Sequence, residues 1–275
     1  MLGLRQKHPL AALLAAASLS RSTFYYHAAQ VAPLQDDLCV HIERIYHQHR
    51  GRYGYRRVAL ALRREGLHVN HKAVQRRMQA VGLKSLVRPK RYKSYRGGAA
   101  ANVDNVLARQ FHASRPNQKW VTDVTEFKVG REKLYLSPVL DLYNGEIIAY
   151  QMDRRPQFPL VKAMIKTAIG RLAGEKPLIH SDQGWQYQMH QYHTILAENG
   201  LTQSMSRKGN CLDNAAMESF FATLKSEFFY LNKFENLEQL KAGLKTYIHY
   251  YNHDRIKGKL KGLSPVEYRT QPLLA

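Results

Sequence analysis

From Gly54 to Glu65 apolar side chains recur at Tyr55, Val58, Ala59 and Leu62. That is the i, i+3, i+4, i+7 spacing of a helix with one inner face, and Arg56, Arg57, Arg63 and Arg64 fall opposite it. Gly66 stops this helix. Asn70 is the expected N-cap of the next, His71 to Val81, with Val74, Met78 and Val81 inward and Lys72, Gln75, Arg76 and Gln79 outward. Upstream, residues 8–30 read as a helix, a turn and a second helix, and Asp36 to Arg50 as another helix. Beyond residue 112 the period changes. Strands are predicted at 118–129, 132–142 and 145–153, a helix at 158–173 and a buried strand at 177–181. A helix at 188–199, a strand at 201–205, a long helix through residue 218 and a helix at 236–252 follow. Three strands and then alternating helix and strand predict an α/β domain, a mixed sheet with both faces covered. Between the two regions, Arg88-Pro-Lys-Arg-Tyr-Lys-Ser-Tyr-Arg96 has no helical period and reads as an extended linker. The predicted organisation is a helical region at 1–87, a linker at 88–112 and the α/β domain at 113–275.

Charge sharpens this picture. The 275 residues carry a formal charge of +21. Residues 1–110 hold 20 Lys and Arg against 5 Asp and Glu, net +15, and residues 111–275 hold 22 against 16, net +6. The front of the chain is therefore a footprint for a polyanion. Two short helices joined by a turn, with a basic, amide-rich outer face, fit a helix-turn-helix. Lys72, Gln75 and Arg76 are its candidate DNA contacts, to base edges or to phosphates alone. In the linker, Lys90, Arg91 and Lys93 could track a DNA backbone while the tyrosines between them stack on bases, or the segment could be simply solvated.

Two cysteines, Cys39 and Cys211, form neither a disulfide framework nor a zinc set, and are expected as free thiols in a reducing cytosol. No apolar run reaches membrane-spanning length. Leu10 to Ala17 imitates the core of a signal peptide, but it runs on into the helix-turn pattern that follows.

Three acids suggest chemistry. Asp123 sits in Lys119-Trp-Val-Thr-Asp123-Val-Thr-Glu-Phe, a strand-like stretch. Asp182 closes the apolar run Pro177-Leu-Ile-His-Ser-Asp182 and is followed by Gln183-Gly184. Glu218 lies in a helix with Phe220, Phe221, Leu224 and Phe228, where an unpaired carboxylate is costly. Hard oxygen donors in a basic chain suit Mg²⁺-assisted reaction at nucleic-acid phosphates. Of the other acids, Glu126 is an odd-numbered step from Asp123 and points to the opposite face of a regular strand. Glu227 is about 180° round the helix from Glu218. Asp141 would end the second strand and could lie near the site, but no motif supports it, and Asp213 is a further candidate.

Thirty-five residues separate Asp182 from Glu218, and the set resembles the D,D(35)E signature of retroviral integrases and related bacterial transposases. The surrounding words are more specific. Trp120-x-x-Asp123-x-Thr125, His180-Ser-Asp182-x-Gly184-x-x-Tyr187, Asn214-x-x-x-Glu218-Ser-Phe-Phe and Tyr250-Tyr-Asn252-x-x-Arg255 resemble the OrfB-type transposases of copy-out, paste-in insertion sequences, over about residues 20–269. The resemblance implies an RNase H-like fold and a catalytic triad of Asp123, Asp182 and Glu218. These acids would hold two Mg²⁺ ions, with Mn²⁺ able to substitute, and Asp123 would bridge the pair. It also implies that Lys225, seven residues after Glu218, meets the DNA end. The loop Ser206-Arg207-Lys208-Gly209-Asn210 would order on DNA. One departure is Lys257, where many relatives carry histidine.

The expected activity is 3′-end cleavage and strand transfer of an insertion sequence. The alternatives are a nuclease of the same fold without strand transfer, or a DNA-binding repressor with a decayed core. Expected partners are double-stranded DNA (terminal inverted repeats and target), further copies of the chain on that DNA, and an upstream-frame product or frameshift fusion. No membrane is implied, and the expected location is the bacterial cytoplasm, on the nucleoid when DNA-bound.

Overall fold

Pro138 breaks an otherwise continuous ladder at the point that matters most. In the computed structural model, which describes residues 7–29, 36–87, 104–207 and 211–271, β1 (Lys119–Thr122) and β2 (Thr125–Val129) both pair antiparallel with β3 (Glu132–Asp141). They do so in one register, from Trp120 opposite Asp141 through Thr125 opposite Leu136 to Val129 opposite Glu132. By that count Asp123 stands opposite Pro138, which has no N–H to give. The single strand expected at 118–129 is thus present, interrupted at Asp123 and Val124.

β3 is shared between two neighbours. Val139 pairs with Thr122 on one edge and with Ala149 of β4 (Ile147–Asp153) on the other, and the register shifts by a bulge between Val139 and Leu140. β5 (Leu178–Ser181) runs parallel to β1, and β6 (Thr202–Met205) parallel to β5. The sheet therefore reads β4, β3, β1 with β2, β5, β6. One face packs on α6 (Phe158–Ile169) and α7 (His190–Glu198) through Trp120, Val139, Ile179, Val161, Met164 and Leu196. The other packs on α8 (Ala215–Glu227) and α9 (Leu237–His253) through Val121, Phe127, Leu136, Phe220, Leu224 and Leu244. Trp120 and Val121 are neighbours in sequence and lie in different cores, as the two-residue period of a strand requires. The result is the mixed sheet flanked by helices that the pattern predicted.

The chain divides into two units, 1–85 and 86–275. In the first, α1 (Leu10–Ala16) and α2 (Arg21–Ala29) precede α3 (Asp37–Gln48), α4 (Tyr55–Arg64) and α5 (His71–Ala80). Val58, Leu62, Val74 and Met78 are buried, and Arg56, Arg63, Lys72 and Arg76 are exposed, as the periods require. Asn70 caps α5 by accepting from Lys72 N at 2.9 Å. Asp36 caps α3 and also binds Arg77 of α5 at 2.6 Å.

Residues 104–112, part of the expected linker, pack within the second unit. Leu107 is buried in the α8–α9 core, its N–H donating to Ser204 Oγ at 3.0 Å, and Met205 N donates to Asp104 O. Leu107 and the partly buried Phe111 pack on that core, too few positions to set a period that reveals the segment. A short α10 (Pro265–Thr270) closes the description, capped reciprocally by Ser264 and Glu267. Among the described residues no helix is long and apolar enough to cross a membrane.

Candidate active site

The register of β1 and β5 sets two carboxylates side by side. Trp120 pairs with Ile179 and Val121 with His180, so two residues on Asp123 faces Asp182 across neighbouring parallel strands, which lie about 4.8 Å apart. Both follow the alternation of Val121 and point toward α8. Each is half-buried. Asp123 accepts from Val124 N at 2.7 Å and Asp182 from Gly184 N at 2.9 Å. Burial pushes the pKa of Asp123 up to about 8, and the charges of Asp182 and Glu218 add to the rise. The Val124 N–H and the Lys225 ammonium oppose it. Burial likewise pushes Asp182 up.

Glu218 enters from the first turn of α8. The start of that helix is tied to β1, for Asn214 Nδ2 donates to Thr122 O at 3.2 Å, the residue just before Asp123. Glu218 and Lys225 both act electrostatically on Asp123, so one face of α8 meets the strand ends. The Lys225 ammonium also lies 5.4 Å from the centre of the Phe127 ring. Two acids and a lysine are thus within the field of Asp123. Among the described residues, however, no group of three His, Cys, Asp and Glu is gathered tightly enough to hold a metal ion as it stands.

The remaining candidates have other partners. His180 is buried with Nδ1 2.8 Å from Ser204 Oγ and Nε2 3.1 Å from Ser206 Oγ, and burial pushes its pKa down to about 4. It is a neutral ring bridging β5 and β6. Glu126 is exposed and binds Lys133 and Tyr135. Asp141 is buried with Asn117 N, Tyr143 N and Arg269. Glu227 is buried against Arg255, at 2.7 and 2.8 Å, and accepts from Tyr247 OH at 3.0 Å. Asn252 exchanges two 2.9 Å bonds with the backbone of Ile147. The Tyr-Asn-x-x-Arg motif therefore fastens α9 to α8 and β4. Lys257 donates to Gly145 O and Tyr251 OH.

Of the residues read as DNA contacts, Lys72 and Arg76 are exposed and Gln75 is half-buried. Arg207 is exposed, and its Nε and Nη2 bind Asp213 at 2.9 and 3.1 Å. Lys90, Arg91, Lys93 and Lys208 lie outside the described residues. Sequence reasoning gave no role to Tyr187, which closes a quoted motif and whose buried phenol lies 3.4 Å from Thr122 Oγ1 and close to both strand-end acids. It also missed what Asp213 and Asn214 do. Asn214 had a signal, its i, i+4 spacing to Glu218 inside a quoted motif. Asp213 had none, because Asn105 and Arg109 are more than a hundred residues away and Arg207, six residues before it, reads as a DNA contact.

Comparison with known proteins finds relatives over nearly the whole chain. Two family models, both described as Integrase core domain, match residues 113–211 and 218–273, and one described as HTH-like domain matches residues 33–91. Transposase InsK for insertion sequence element IS150 of Escherichia coli strain K12 is 56% identical over 271 residues, 98% of this chain and 96% of that one. A transposase-like protein of Haemophilus influenzae is 59% identical over 210 residues, 76% of this chain and 97% of that one. A chain of the simian T-cell lymphotropic virus intasome, solved by electron microscopy in complex with PP2A regulatory subunit B56 gamma, superposes with a TM-score of 0.51. At 15% identity, over 78% of this chain and 76% of that one, it shares the fold.

Proposed function

The chain belongs to the insertion-sequence transposases with an integrase core, polynucleotidyl transferases, and from that premise we propose that Asp123, Asp182 and Glu218 are its catalytic acids. They hold two Mg²⁺ ions, with Mn²⁺ as a substitute, and the reaction is cleavage at a 3′ end of the element followed by joining of that end to target DNA. The observation that carries this reading is the β1–β5 register, which sets Asp123 beside Asp182 with the first turn of α8 tied to the same strand end.

The donor set suits the ion. It is all carboxylate oxygen, and the burial and repulsion that push Asp123 up are relieved by a divalent cation. When bound, such a pair stabilises charge on the attacking and leaving oxygens of an in-line displacement. The protein supplies the rest. The strand ends fix two ligands, α8 brings the third, and Lys225 on the same face of α8 holds a phosphate of the DNA end. The exposed Lys72 and Arg76, with Gln75, place the helical unit on duplex DNA, and Arg207, Lys208 and the linker residues Lys90, Arg91 and Lys93 add phosphate contacts. Further copies of the chain assemble on that DNA, in the cytoplasm of a bacterial cell.

The test is an oligonucleotide assay that scores nicking and strand joining separately, alongside a gel-shift assay. Asp123→Asn, Asp182→Asn and Glu218→Gln should each abolish both reactions and leave DNA binding intact. Near-normal joining by any one of them removes that residue from the site. Nicking without joining by the wild-type chain would make it a nuclease instead.

A further inference from the structure

Glu218 is the one acid of the three that does not stand at a strand end, so its distance from Asp123 and Asp182 depends on where α8 begins. That beginning is held from two sides. Asn214, buried at the N-cap, donates to Thr122 O and makes no capping bond of its own. Its Oδ1 is buried with no partner among the described residues. Asp213, one residue earlier, is completely buried. It accepts from Arg207 N at 3.0 Å, Arg207 Nε at 2.9 Å and Nη2 at 3.1 Å, Arg109 Nε at 2.8 Å and Asn105 Nδ2 at 2.8 Å. The Arg207 guanidinium foremost, with Arg109 beside it, holds this carboxyl far below the usual carboxylate range.

These contacts gather the exit of β6, the 104–109 segment and the start of α8 on one carboxylate. A buried charge cluster is a poor way to gain stability, since apolar packing of equal volume often does as well. What it provides is direction: each donor fixes one approach to the carboxyl plane. We propose that Asp213 and Asn214 are positioning residues that set Glu218 against the Asp123–Asp182 pair. The inference rests on the reading of those three acids as cation ligands. Neither residue touches substrate. Asp213 fixes the helix start relative to β6 and Asn214 fixes it relative to β1, and removing either lets Glu218 drift from the other two oxygen donors.

The experiment uses the full chain as wild type, Asp213→Asn, Asn214→Ala and Asp123→Asn. Mn²⁺ binding to the DNA-free protein is measured by titration calorimetry, thermal unfolding in metal-free buffer, and strand transfer as a function of Mg²⁺ concentration. Residues that orient metal ligands typically contribute 10–100-fold in affinity, so Asp213→Asn and Asn214→Ala should each weaken Mn²⁺ binding by about tenfold or more. The half-saturating Mg²⁺ concentration for strand transfer should rise in parallel. A purely structural role would lower the unfolding temperature and leave both metal dependences at the wild-type value, and that result overturns the proposal. If Asp213→Asn does not fold, Asn214→Ala decides alone, because it deletes one bond and no charge. Equal Mn²⁺ affinity in wild type and Asp123→Asn would instead overturn the ligand reading, and this inference with it.

Discussion

Gly184 shows how closely the site is packed around one carboxylate. Its backbone, at φ −54, is open to any residue. A methyl group there would nonetheless lie 2.9 Å from Gln186 Oε1, 3.0 Å from Asp182 Oδ1 and 3.3 Å from the Tyr187 ring. Gln186 is held by its bond to Pro156 O and Asp182 by the Gly184 N–H, so the added methyl presses directly on the Asp182 carboxylate. Gly184→Ala should therefore cut strand transfer on the order of a hundredfold, the effect of a displacement of about 1 Å at a reacting centre. The fold should lose only about 1–3 kcal/mol, as for a mild overpacking. Kinetics and urea unfolding on one preparation check the pair of values, and wild-type strand transfer per folded molecule, with only the stability lowered, would mean that the glycine serves the fold alone. Asp36 gives a different residue-scale test. Its pKa is lowered to about 2, first by the hydrogen bond from Arg77. A folded-state pKa below the unfolded value of 3.8 contributes stability that is full above pH 3.8 and is lost as pH falls toward 2. Asp36→Asn should flatten the melting temperature of the wild type between pH 5 and pH 2.5, and unchanged slopes would remove the pair from the acid response. At this scale the sequence spoke clearly for Asp123, Asp182 and Glu218, whose neighbours form recognisable words. It was silent on the Arg109–Asp213 pair, because nothing local announces a contact across 104 residues.

Elements were legible wherever a period ran long enough to register. The arginine-backed α4, the cap-and-period of α5 and the β3–β4 pair follow from spacing alone. The break in the first strand was not foreseen, although Pro138 marks it, because the proline lies on the partner strand and acts through register. The capping box of α10 was there to be read in Ser264-Pro-Val-Glu267 and was overlooked for want of an apolar face. Glu227 was legible by angle: half a helical turn from Glu218, it had to face away from the acids. Its place against Arg255 and Tyr247 makes it the chief polar tie between α8 and α9. Breaking a buried pair by removing one partner costs about 3–5 kcal/mol, so Glu227→Ala should destabilise the fold by that amount. Arg255→Met, which also fills the space with apolar atoms, should do the same unless Glu227 is neutralised as well. In the Glu227→Gln, Arg255→Met double variant the coupling should recover a large part of the loss. Additive losses in a double-mutant cycle on urea unfolding would show that the two side chains do not act as a pair.

Across the whole molecule the charge is divided as the work is. The first 110 residues carry net +15 and the remaining 165 only +6, although the second part is the longer. Of the sixteen acids of the second part, Asp141, Asp213 and Glu227 are buried against arginines. In the first unit the exposed faces of α4 and α5 keep Arg56, Arg63, Lys72 and Arg76 at the surface. Release of condensed cations should therefore dominate binding, with the logarithm of the association constant falling by about 0.9 per phosphate neutralised for each decade of salt. For roughly six to ten such contacts, affinity for duplex DNA should drop about 10³–10⁵-fold between 50 and 200 mM salt. Lys72→Ala and Arg76→Ala should each reduce the slope by about one if their targets are phosphates. If Arg76 or Gln75 reaches a base edge instead, its alanine variant should lose discrimination between terminal-repeat and unrelated duplex and keep the slope. Asp123→Asn serves as the control, since it removes a charge at the carboxylate pair and should leave the salt dependence nearly as it was. A wild-type slope near zero would mean that the basic front of the chain is not its DNA-binding surface, and the division of labour between the two units would have to be abandoned.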